Sequence, residues 1–323
     1  MRALVIGVSG QDGAYLARLL LSKGYEVFGT SRDANLSRFE GLKALKIRDR
    51  VKLLSVAPND FRSVLTALAQ TEPDEVYNLS GQSSVGLSFD QPVETMESVT
   101  LATLNLLEAI RFIKRPVRFY NAGSGECFGD TLGVPATEDT PFRPRSPYAA
   151  AKAAAHFVVA NYREAYRIFA CNGVLFNHES PLRPERFVTR KIVSAAVRIA
   201  GGSGERLKLG NVNVRRDWGW APEYVDAMWR MLQQERPDDF IIATGKTSSL
   251  EDFIAAAFAA VNLDWRAHVD TDPALLRPSD ISEGKANPAK AAKLLGWSPH
   301  VGMAETVERM VRVERTGTIG AAD

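Results

Sequence analysis

A tyrosine and a lysine stand four residues apart in the segment Ser146-Pro-Tyr148-Ala-Ala-Ala-Lys152. On a helix these two side chains share a face, so we expect them to lie close together. A nearby ammonium favours the phenolate, and Lys152 is therefore expected to lower the pKa of Tyr148. Tyr148 could then take a proton from a substrate hydroxyl while a hydride leaves the same carbon. Pro147 at a helix start favours this interpretation over a chance match.

A second reactive pair, Ser124 and Glu126, lies in a glycine-rich segment that follows a predicted strand. Ligands of open parallel sheets bind beyond the carboxyl ends of the strands, so both side chains could face the ligand of Tyr148. A carboxylate in such a cleft can remove a carbon-bound proton that a neighbouring carbonyl has made acidic. The alternative interpretation is a glycine-rich loop with Glu126 in solvent.

Three glycines, Gly7, Gly10 and Gly13, form a turn between the first predicted strand and a leucine-rich helix. Such a turn lets a pyrophosphate approach the helix N-terminus, whose N–H groups and dipole favour anions. The spacing is Gly-x-x-Gly-x-x-Gly rather than the general Gly-x-Gly-x-x-Gly, but its place between strand and helix predicts a dinucleotide site. Lys152 could hold the nicotinamide ribose of the same cofactor.

The end of the second predicted strand distinguishes between two dinucleotides. A free ribose 2′-hydroxyl is usually held by Asp or Glu about 20 residues after the turn. Here Ser31 and Arg32 occupy that place, and Asn35 follows. A guanidinium suits a 2′-phosphate and offers no acceptor to a hydroxyl, so we predict NADP rather than NAD. In the alternative interpretation Arg32 is a solvated surface charge and Asp33 turns inward.

Short apolar runs alternate with amphipathic stretches through the first 180 residues, as in a doubly wound parallel α/β sheet of the Rossmann type. The predicted strands are 3–6, 26–28, 51–54, 75–79, 117–120 and 169–176. The predicted helices are at about 11–23, 59–71, 92–115 and 146–167. After residue 177 the rhythm breaks, and one further strand at 239–244 suits the first sheet. Helical patterns then return at about 248–261, 288–295 and 302–315.

This organisation predicts two domains. Residues 1–178, with a returning strand at 238–245, would form the NADP-binding Rossmann domain. Residues 179–237 and 246–323 would form a smaller, discontinuous C-terminal substrate-binding domain.

The composition excludes several classes of protein. The 323 residues carry 40 Lys+Arg against 38 Asp+Glu, so no general attraction to nucleic acid or to an anionic membrane is expected. Only two cysteines occur, and we predict neither a disulfide framework nor a metal site. No apolar stretch approaches the roughly 20 residues that span a bilayer. The first residues are typical of a strand rather than a signal peptide, so a cytoplasmic globular protein is expected.

Several strings of residues together resemble the extended short-chain dehydrogenase/reductases and, more closely and along nearly the whole chain, the GDP-mannose 4,6-dehydratase family. The matching segments are 7–17, 82–92, 144–148, 172–183, 187–191, 216–219 and 243–245. Asn177-His-Glu-Ser-Pro181 and Arg216-Asp-Trp-Gly219 are specific to that family rather than to the fold.

The resemblance implies a redox-neutral dehydration of a GDP-sugar with the nicotinamide kept in place. Tyr148 deprotonates the C4 hydroxyl, Glu126 removes the C5 proton and Ser124 assists the loss of water from C6. By the same resemblance further residues hold the cofactor, and they are Gln11, Asp12, Leu79, His178 and Arg183. Those that hold the substrate are Ser83, Asn177, Lys191, Arg216, Arg277 and Asp280. The family also implies a homodimer or homotetramer.

The nucleotide-binding residues have plainer interpretations as well. Arg216 could pair with its neighbour Asp217, Lys191 could lie on a solvated helix face, and His178 could be a packed histidine. Arginine forks nevertheless pair well with phosphate oxygens, which favours the diphosphate interpretation.

The chain departs from the family pattern at a few positions. Val56 replaces an aspartate that contacts adenine, and Ser124 lies between two glycines where serines are usual. Arg32 is followed by Asp33 rather than by a second arginine, and Asp280 replaces a glutamate. These differences are compatible with a divergent branch or a different nucleotide sugar.

Three other functions remain open at this point. A 4-reductase or 4-epimerase would use the same scaffold, although Glu126 argues against it. A catalytically weak NADP-binding scaffold or sensor would explain Val56 and the glycines around Ser124. A hydrolase would use Cys127 in a nucleophile elbow, but that elbow requires a helix directly after it, where the sequence predicts a loop.

Overall fold

The computed structural model describes residues 1–320, and its centre is a parallel sheet of seven strands. The strands are β1 (Arg2–Ile6), β2 (Glu26–Ser31), β3 (Lys52–Ser55), β4 (Glu75–Asn78), β5 (Arg118–Ala122), β6 (Ala170–Leu175) and β10 (Phe240–Ile242). Their order across the sheet is β3-β2-β1-β4-β5-β6-β10. Starting at β1, the chain adds β2 and β3 on one side and then β4, β5, β6 and β10 on the other, which is the doubly wound arrangement. The predicted Rossmann-type sheet is confirmed.

Helices cover both faces of this sheet, as parallel strands require. On one face lie α1 (Gln11–Ser22), α2 (Glu40–Ala44) and α9 (Ala221–Leu232), with α11 (Ala289–Leu295) beside them. On the other face lie α3 (Phe61–Thr71), α6 (Ala102–Ile113) and α7 (Pro147–Tyr166). The strands between the two layers are apolar on both sides, and Leu4 and Val5 of β1 are both fully buried.

The remaining elements build a second, smaller core. A three-stranded sheet has the order β11-β9-β7, and β12 pairs with β8. These strands are β7 (Asn177–Glu179), β8 (Leu207–Leu209), β9 (Arg215–Trp220), β11 (Thr247–Ser249) and β12 (Val269–Thr271). The helices packed around them are α8 (Val188–Ala200), α10 (Leu250–Ala259) and α12 (Met303–Thr316). The two cores give the predicted division into domains a physical basis, and the division itself stays a prediction.

Several predicted elements differ from the structure. The predicted helix 92–115 is present from Pro92 to Ile113 but is not uniformly α-helical, because α5 (Pro92–Met96) continues through a π-helical turn at Glu97–Leu101 into α6. A further helix, α4 (Val85–Asp90), precedes it. The predicted strand 169–176 ends at Leu175, and β7 starts two residues later.

The region after residue 177 is more regular than the sequence interpretation allowed. It contains α8 and α9, and α9 packs beside α1 on the large sheet rather than with the smaller core. The predicted substrate-binding range 179–237 therefore includes a helix that belongs physically to the cofactor side. Of the other predicted range, 246–323, the last three residues lie outside the described part.

Within residues 1–320, no helix is both long and apolar enough to cross a membrane. The same residues contain no group of three or more His, Cys, Asp or Glu side chains arranged to hold a metal ion.

Candidate active site

The turn between β1 and α1 is closely packed and depends on its glycines. Gly7 has a positive φ of 89°, which is unstrained only for glycine. A Cβ on Gly13 would lie 2.4 Å from the Gly7 carbonyl oxygen, whereas one on Gly10 would meet nothing closer than 3.5 Å. Gly10 precedes α1 without a side-chain cap, so the first N–H groups of the helix are available to an anion. The turn therefore fits a dinucleotide pyrophosphate.

The two glycines are expected to respond differently to alanine. Gly13→Ala should lower the free energy of unfolding by about 1–3 kcal/mol, because its methyl group overlaps backbone atoms. Gly10→Ala should leave that stability nearly unchanged and weaken dinucleotide binding, because its methyl group lies where the phosphates approach. Thermal unfolding and calorimetric titration of both variants measure the two effects. Equal stability of the two variants would contradict this account of the turn.

Asp12 and His178 join α1 to the segment after β6. The Asp12 carboxylate lies 2.9 Å from His178 Nε2, and His178 Nδ1 lies 2.7 Å from the Phe176 carbonyl oxygen. Burial alone would raise the pKa of Asp12, but His178 and Arg183 outweigh it and the pKa falls to about 2. The imidazole ring also stacks on Tyr224 at 4.5 Å. His178 is thus a packed residue on the wall of the cleft.

Two further residues predicted to hold the cofactor lie beside this pair. Gln11 donates from Nε2 to the His178 carbonyl oxygen at 3.2 Å and accepts from the Ser180 hydroxyl at 2.8 Å. Arg183 donates to the Glu179 carboxylate at 2.9 Å and also to the His178 carbonyl oxygen. Both side chains form hydrogen bonds within the protein, and these bonds stabilise the cofactor side of the cleft.

The loop after β2 is exposed, and it includes both Arg32 and Asn35. Asp33 does not turn inward, because its carboxylate accepts from the N–H groups of Asn35 and Leu36 at 2.9 and 3.1 Å. Arg32 is therefore left facing solvent at the end of the strand. Val56 is 2% exposed and packs in the core between the sheet and its helices.

The start of α7 positions Tyr148 and Lys152. Ser146 caps the helix by accepting from the Ala149 N–H at 3.1 Å, and Pro147 occupies the first turn. Lys152 donates to the Ala122 carbonyl oxygen at 2.7 Å, at the carboxyl end of β5. Its ammonium lies 5.9 Å from the centre of the Tyr148 ring.

The pKa of Tyr148 moves in the opposite direction to the prediction. Burial raises the pKa of the phenol well above its usual value, and the Ser124 hydroxyl only partly offsets this. Burial likewise lowers the pKa of Lys152 to about 8. Desolvation therefore outweighs the expected effect of the lysine on the tyrosine. Tyr148 is protonated near neutral pH in the protein as it stands.

Glu126 lies in a single 3-10 turn, Gly125–Phe128, and Ser124 caps this turn two residues after the end of β5. The Ser124 hydroxyl accepts from the Glu126 N–H at 3.3 Å and so holds the turn. The flanking glycines have a packing role, because a Cβ on Gly125 would lie 2.9 Å from the Phe176 ring and one on Gly123 would lie 3.0 Å from the Gly173 carbonyl oxygen. These glycines permit the close approach of the turn to β6 and to Phe176.

Arg216 links Glu126 to the C-terminal part of the site. Its Nε lies 3.6 Å from Glu126 Oε1, and its Nη2 lies 3.2 Å from Asp280 Oδ1. The predicted alternative, pairing with Asp217, is wrong. The Asp217 carboxylate instead accepts from the N–H groups of Thr244 and Gly245, at 2.9 and 2.7 Å. Arg216 is only 7% exposed, so it is a buried cation that holds two acidic side chains.

The structure brings most of the predicted side chains to one cleft of about 410 Å³. The predicted residues that line it are Asp12, Leu79, Ser83, Ser124, Glu126, Tyr148, Lys152, Asn177, His178, Arg183, Lys191, Arg216, Arg277 and Asp280. Those that do not line it are Gly7, Gly10, Gln11, Gly13, Arg32 and Asn35. The glycine turn adjoins it through Asp12, whereas Arg32 and Asn35 lie on the exposed loop.

Six polar wall residues were not among the predicted site residues, and they are Ser80, Ser84, Glu179, Arg186, Thr189 and Asn211. Ser80 follows β4, and Thr189 is the second residue of α8, where its hydroxyl donates to Glu179 at 2.8 Å. Ser80 stands just beyond the carboxyl end of a predicted strand, and that position is a signal that could have found it. Thr189 lies in the first turn of α8, a helix whose bounds the sequence did not predict.

Cys127 does not support a hydrolase. Its thiol is buried, points to the Ala149 carbonyl oxygen at 3.6 Å, and has its pKa raised to about 12 by burial. A nucleophilic cysteine requires a thiolate and an accessible sulfur. Cys127 is therefore a packing residue.

The doubly wound sheet, the glycine turn and the Tyr148–Lys152 pair together define an extended short-chain dehydrogenase/reductase. A solved structure of UDP-glucose 4-epimerase from Thermus thermophilus in complex with NAD superposes with a TM-score of 0.86 at 26% identity, over 98% of this chain and 100% of that one. The dTDP-glucose 4,6-dehydratase DesIV from Streptomyces venezuelae, with NAD and TYD bound, shares the fold with a TM-score of 0.88 at 22% identity, over 98% and 97% of the two chains.

The family is more specific than the fold. Residues 4–310 match the profile of the GDP-mannose 4,6 dehydratases. A relative from Arabidopsis thaliana described as GDP-mannose 4,6 dehydratase 1 is 46% identical over 319 residues, covering 96% of this chain and 88% of that protein. The chain belongs to the GDP-mannose 4,6-dehydratase family, which confirms the resemblance seen in the sequence. Neither a 4-reductase or 4-epimerase nor a binding scaffold is favoured by these matches.

Proposed function

We propose that the protein removes water from GDP-mannose to form GDP-4-keto-6-deoxymannose. The observation that carries this proposal is the placement of Glu126 in one cleft with Tyr148 and Lys152. A reductase or epimerase that acts only at C4 leaves the C5 proton of the sugar in place, because its reaction includes no elimination. A carboxylate facing the same ligand as the tyrosine is the group that a dehydratase requires.

Each catalytic residue of the chain has a separate task. Because burial raises its pKa, Tyr148 must first lose its own proton to solvent and become the phenolate that Lys152 stabilises. The phenolate then takes the proton of the C4 hydroxyl and becomes a phenol again as the hydride leaves C4. Glu126 removes the C5 proton, which the C4 carbonyl has made acidic. Ser124 donates a hydrogen bond toward the C6 hydroxyl, which departs as water. When bound, the nicotinamide supplies a hydride acceptor for C4 and returns the hydride to C6.

The cationic side chains of the cleft support a diphosphate substrate. Arg216, Arg277 and Lys191 all line the cleft. The Lys191 ammonium donates to the Lys208 carbonyl oxygen at 2.7 Å. Arg277 lies 3.5 Å from Asp280, which also holds Arg216. Planar guanidinium groups pair well with phosphate oxygens, so these residues would anchor the nucleotide while the sugar reaches Glu126.

Incubation of the purified protein with GDP-mannose tests the reaction. Because the hydride is returned, the product should be lighter by one water and carry a ketone, without any added reductant. Mass spectrometry before and after reaction with a carbonyl reagent measures both properties. An unchanged mass for GDP-mannose and for several other nucleotide sugars would contradict the proposal.

We further propose NADP as the nicotinamide dinucleotide. Arg32 is exposed at the end of β2, where a 2′-phosphate would lie, and the carboxylate of Asp33 is occupied by its own loop. No acidic side chain of this turn is thus directed toward a free 2′-hydroxyl.

Arg32→Ala should weaken NADP binding by roughly 10- to 150-fold and change NAD binding little, because a charge-assisted hydrogen bond contributes about 1.5–3 kcal/mol. Calorimetric titration with both dinucleotides measures the difference. Arg50→Ala is the matched control, since Arg50 is also exposed but precedes β3 at the opposite end of the strands. Equal losses for the two dinucleotides would mean that the 2′-phosphate is held elsewhere.

Large apolar side chains exposed on α5, α6 and α7 support a homo-oligomer. Val93, Phe112 and Phe157 are 69%, 66% and 61% exposed on these neighbouring helices. We propose that a second copy of the chain covers them, as a homodimer or half of a homotetramer.

We also propose a cytoplasmic location, which is supported by two cysteines that are both free and buried.

A further inference from the structure

A groove of about 530 Å³ lies at the amino-terminal edge of the large sheet. Asp74 precedes β4, Arg118 begins β5 and Phe169 precedes β6, and all three residues line the groove. The active-site cleft lies at the carboxyl ends of the same strands. Small-molecule sites have volumes of about 300–1,000 Å³, so the groove is large enough for a ligand of metabolite size.

The floor of the groove is apolar. Ile110 near the end of α6 and Val117 just before β5 are buried, and both line the groove. Ile168 and Phe169 are half-buried beside them. The Arg118 guanidinium lies over one face of the Phe169 ring, 4.3 Å from its centre. The floor can therefore support the apolar body of a ligand.

The wall of the groove is cationic. Among the described residues that line it, Asp74 is the only acid, and its carboxylate accepts from the Arg2 backbone N–H at 2.7 Å. Five cationic side chains face this single acid, and they are Arg111, Lys114, Arg115, Arg118 and Arg167.

Three of the five cations have partners within the protein. Arg111 donates to both oxygens of Glu108, at 2.9 and 2.7 Å. Arg118 donates to two backbone carbonyl oxygens, at 2.5 and 2.7 Å. Arg115 lies 3.1 Å from Glu72, but both side chains are exposed and such a pair is weak. These three side chains shape the wall of the groove.

Lys114 and Arg167 are the cations that remain for a ligand. Both side chains are exposed, and within residues 1–320 neither has an acidic partner. They directly follow α6 and α7, with φ values of 51° and 58°. Glycine is usual at such a helix end, because a Cβ is strained at positive φ. Local stability alone would therefore favour glycine at both positions.

Cations at these places also have a plainer interpretation, because they offset the negative ends of the helix dipoles. Each helix end carries only about half an elementary charge. The five cations exceed the sum of Asp74, the paired carboxylates of Glu72 and Glu108, and the ends of α6 and α7. Positive charge therefore remains in the groove for an anion to neutralise.

We propose that this groove binds a nucleotide, with its phosphates at Lys114 and Arg167 and its base on the apolar floor. Cations that pair with phosphate oxygens and an apolar surface are the two features that such a ligand requires. The site is separate from those in the cleft, whose described wall includes none of the five cations. The proposal therefore does not rest on the dehydration reaction.

Methyl NMR of the full chain during titration with GDP reports on the groove directly. The methyl signals of Ile110 and Ile168 should shift toward saturation, and added salt should weaken binding, because the contacts are electrostatic. Arg277→Ala alters only the cleft and should leave these shifts in place. Unmoved signals of both isoleucines in the unmodified protein would overturn the proposal.

Glycine variants remove each cation without straining the backbone. Lys114→Gly and Arg167→Gly should each weaken GDP binding at the groove about tenfold or more, because each removes a charge-assisted hydrogen bond. Neither should lower the temperature of thermal unfolding, because glycine suits a positive φ. Lys46→Gly is the matched control, since Lys46 is also exposed, has a φ of 56° and does not line the groove. Unmodified affinity in both groove variants would overturn the proposal.

Inorganic pyrophosphate tests whether the floor contributes. It has no base, so it should shift Ile110 and Ile168 only at concentrations at least about tenfold higher than GDP. Equal affinity would overturn the assignment to a nucleotide. Both groove variants should dehydrate GDP-mannose at the normal rate. Absence of dehydration by the unmodified protein would remove the proposed reaction alone, whereas absence of the isoleucine shifts would remove the groove site alone.

Discussion

Glu126→Gln is expected to reduce the rate of dehydration by a factor between about 10² and 10⁴ while leaving dinucleotide affinity unchanged. The amide keeps the size of the side chain but cannot accept the C5 proton. Tyr148 and Lys152 are untouched, so oxidation at C4 should still occur. The variant mixed with substrate should therefore show the absorbance of reduced nicotinamide, with no deuterium entering C5 from heavy water. Mass spectrometry and stopped-flow absorbance provide the two measurements.

Glu283→Gln is a suitable control for this experiment. The Glu283 and Glu126 side chains are both 17% exposed, and each lies near an arginine, at 3.3 Å from Arg215 and 3.6 Å from Arg216. Glu283 does not line the cleft. Its variant should dehydrate the substrate at the normal rate. Undiminished exchange at C5 in Glu126→Gln would assign the base to another residue.

Tyr148→Phe is expected to abolish an earlier step. Without the phenol oxygen nothing in the cleft takes the C4 proton, so the rate should again fall by about 10² to 10⁴-fold. Unlike Glu126→Gln, this variant should show neither reduced nicotinamide nor product. Stability should change little, because the ring that fills the cleft wall remains.

The control for the tyrosine is Tyr166→Phe. Tyr166 lies in the last turn of the same helix and is 47% exposed, far from the start that carries Tyr148. It should keep full activity. Reduced nicotinamide in Tyr148→Phe at the rate of the unmodified protein would show that the C4 proton leaves by another route.

Local patterns predicted the elements that carry the cofactor turn and the tyrosine. The fully apolar run Ala3–Ile6 indicated a strand buried on both faces, and Ser146 with Pro147 indicated a helix start. These signals are short-range and are written in consecutive residues. The same approach missed α9, because the arginine-, proline- and tryptophan-rich composition after residue 177 obscured the apolar face of that helix.

Contacts between residues that are far apart in the sequence could not be predicted from local patterns. Arg216 meets Glu126 and Asp280, and neither partner is close to it in sequence. The adjacent Asp217 looked like the simpler partner, but strand geometry directs it to the opposite side, toward the loop at Thr244. In a strand, successive side chains point to opposite faces, so neighbours in sequence are not neighbours in space.

The amino-acid sequence by itself determined the fold class, the family and fourteen of the residues that line the cleft, because these depend on residue types at fixed spacing. The tertiary structure alone decided their electrostatic state. Spacing places Lys152 beside Tyr148, but only the packed protein shows that burial raises the pKa of the phenol. Protonation and hydrogen-bond polarity depend on solvent exclusion and on partners from distant segments, which no local pattern contains.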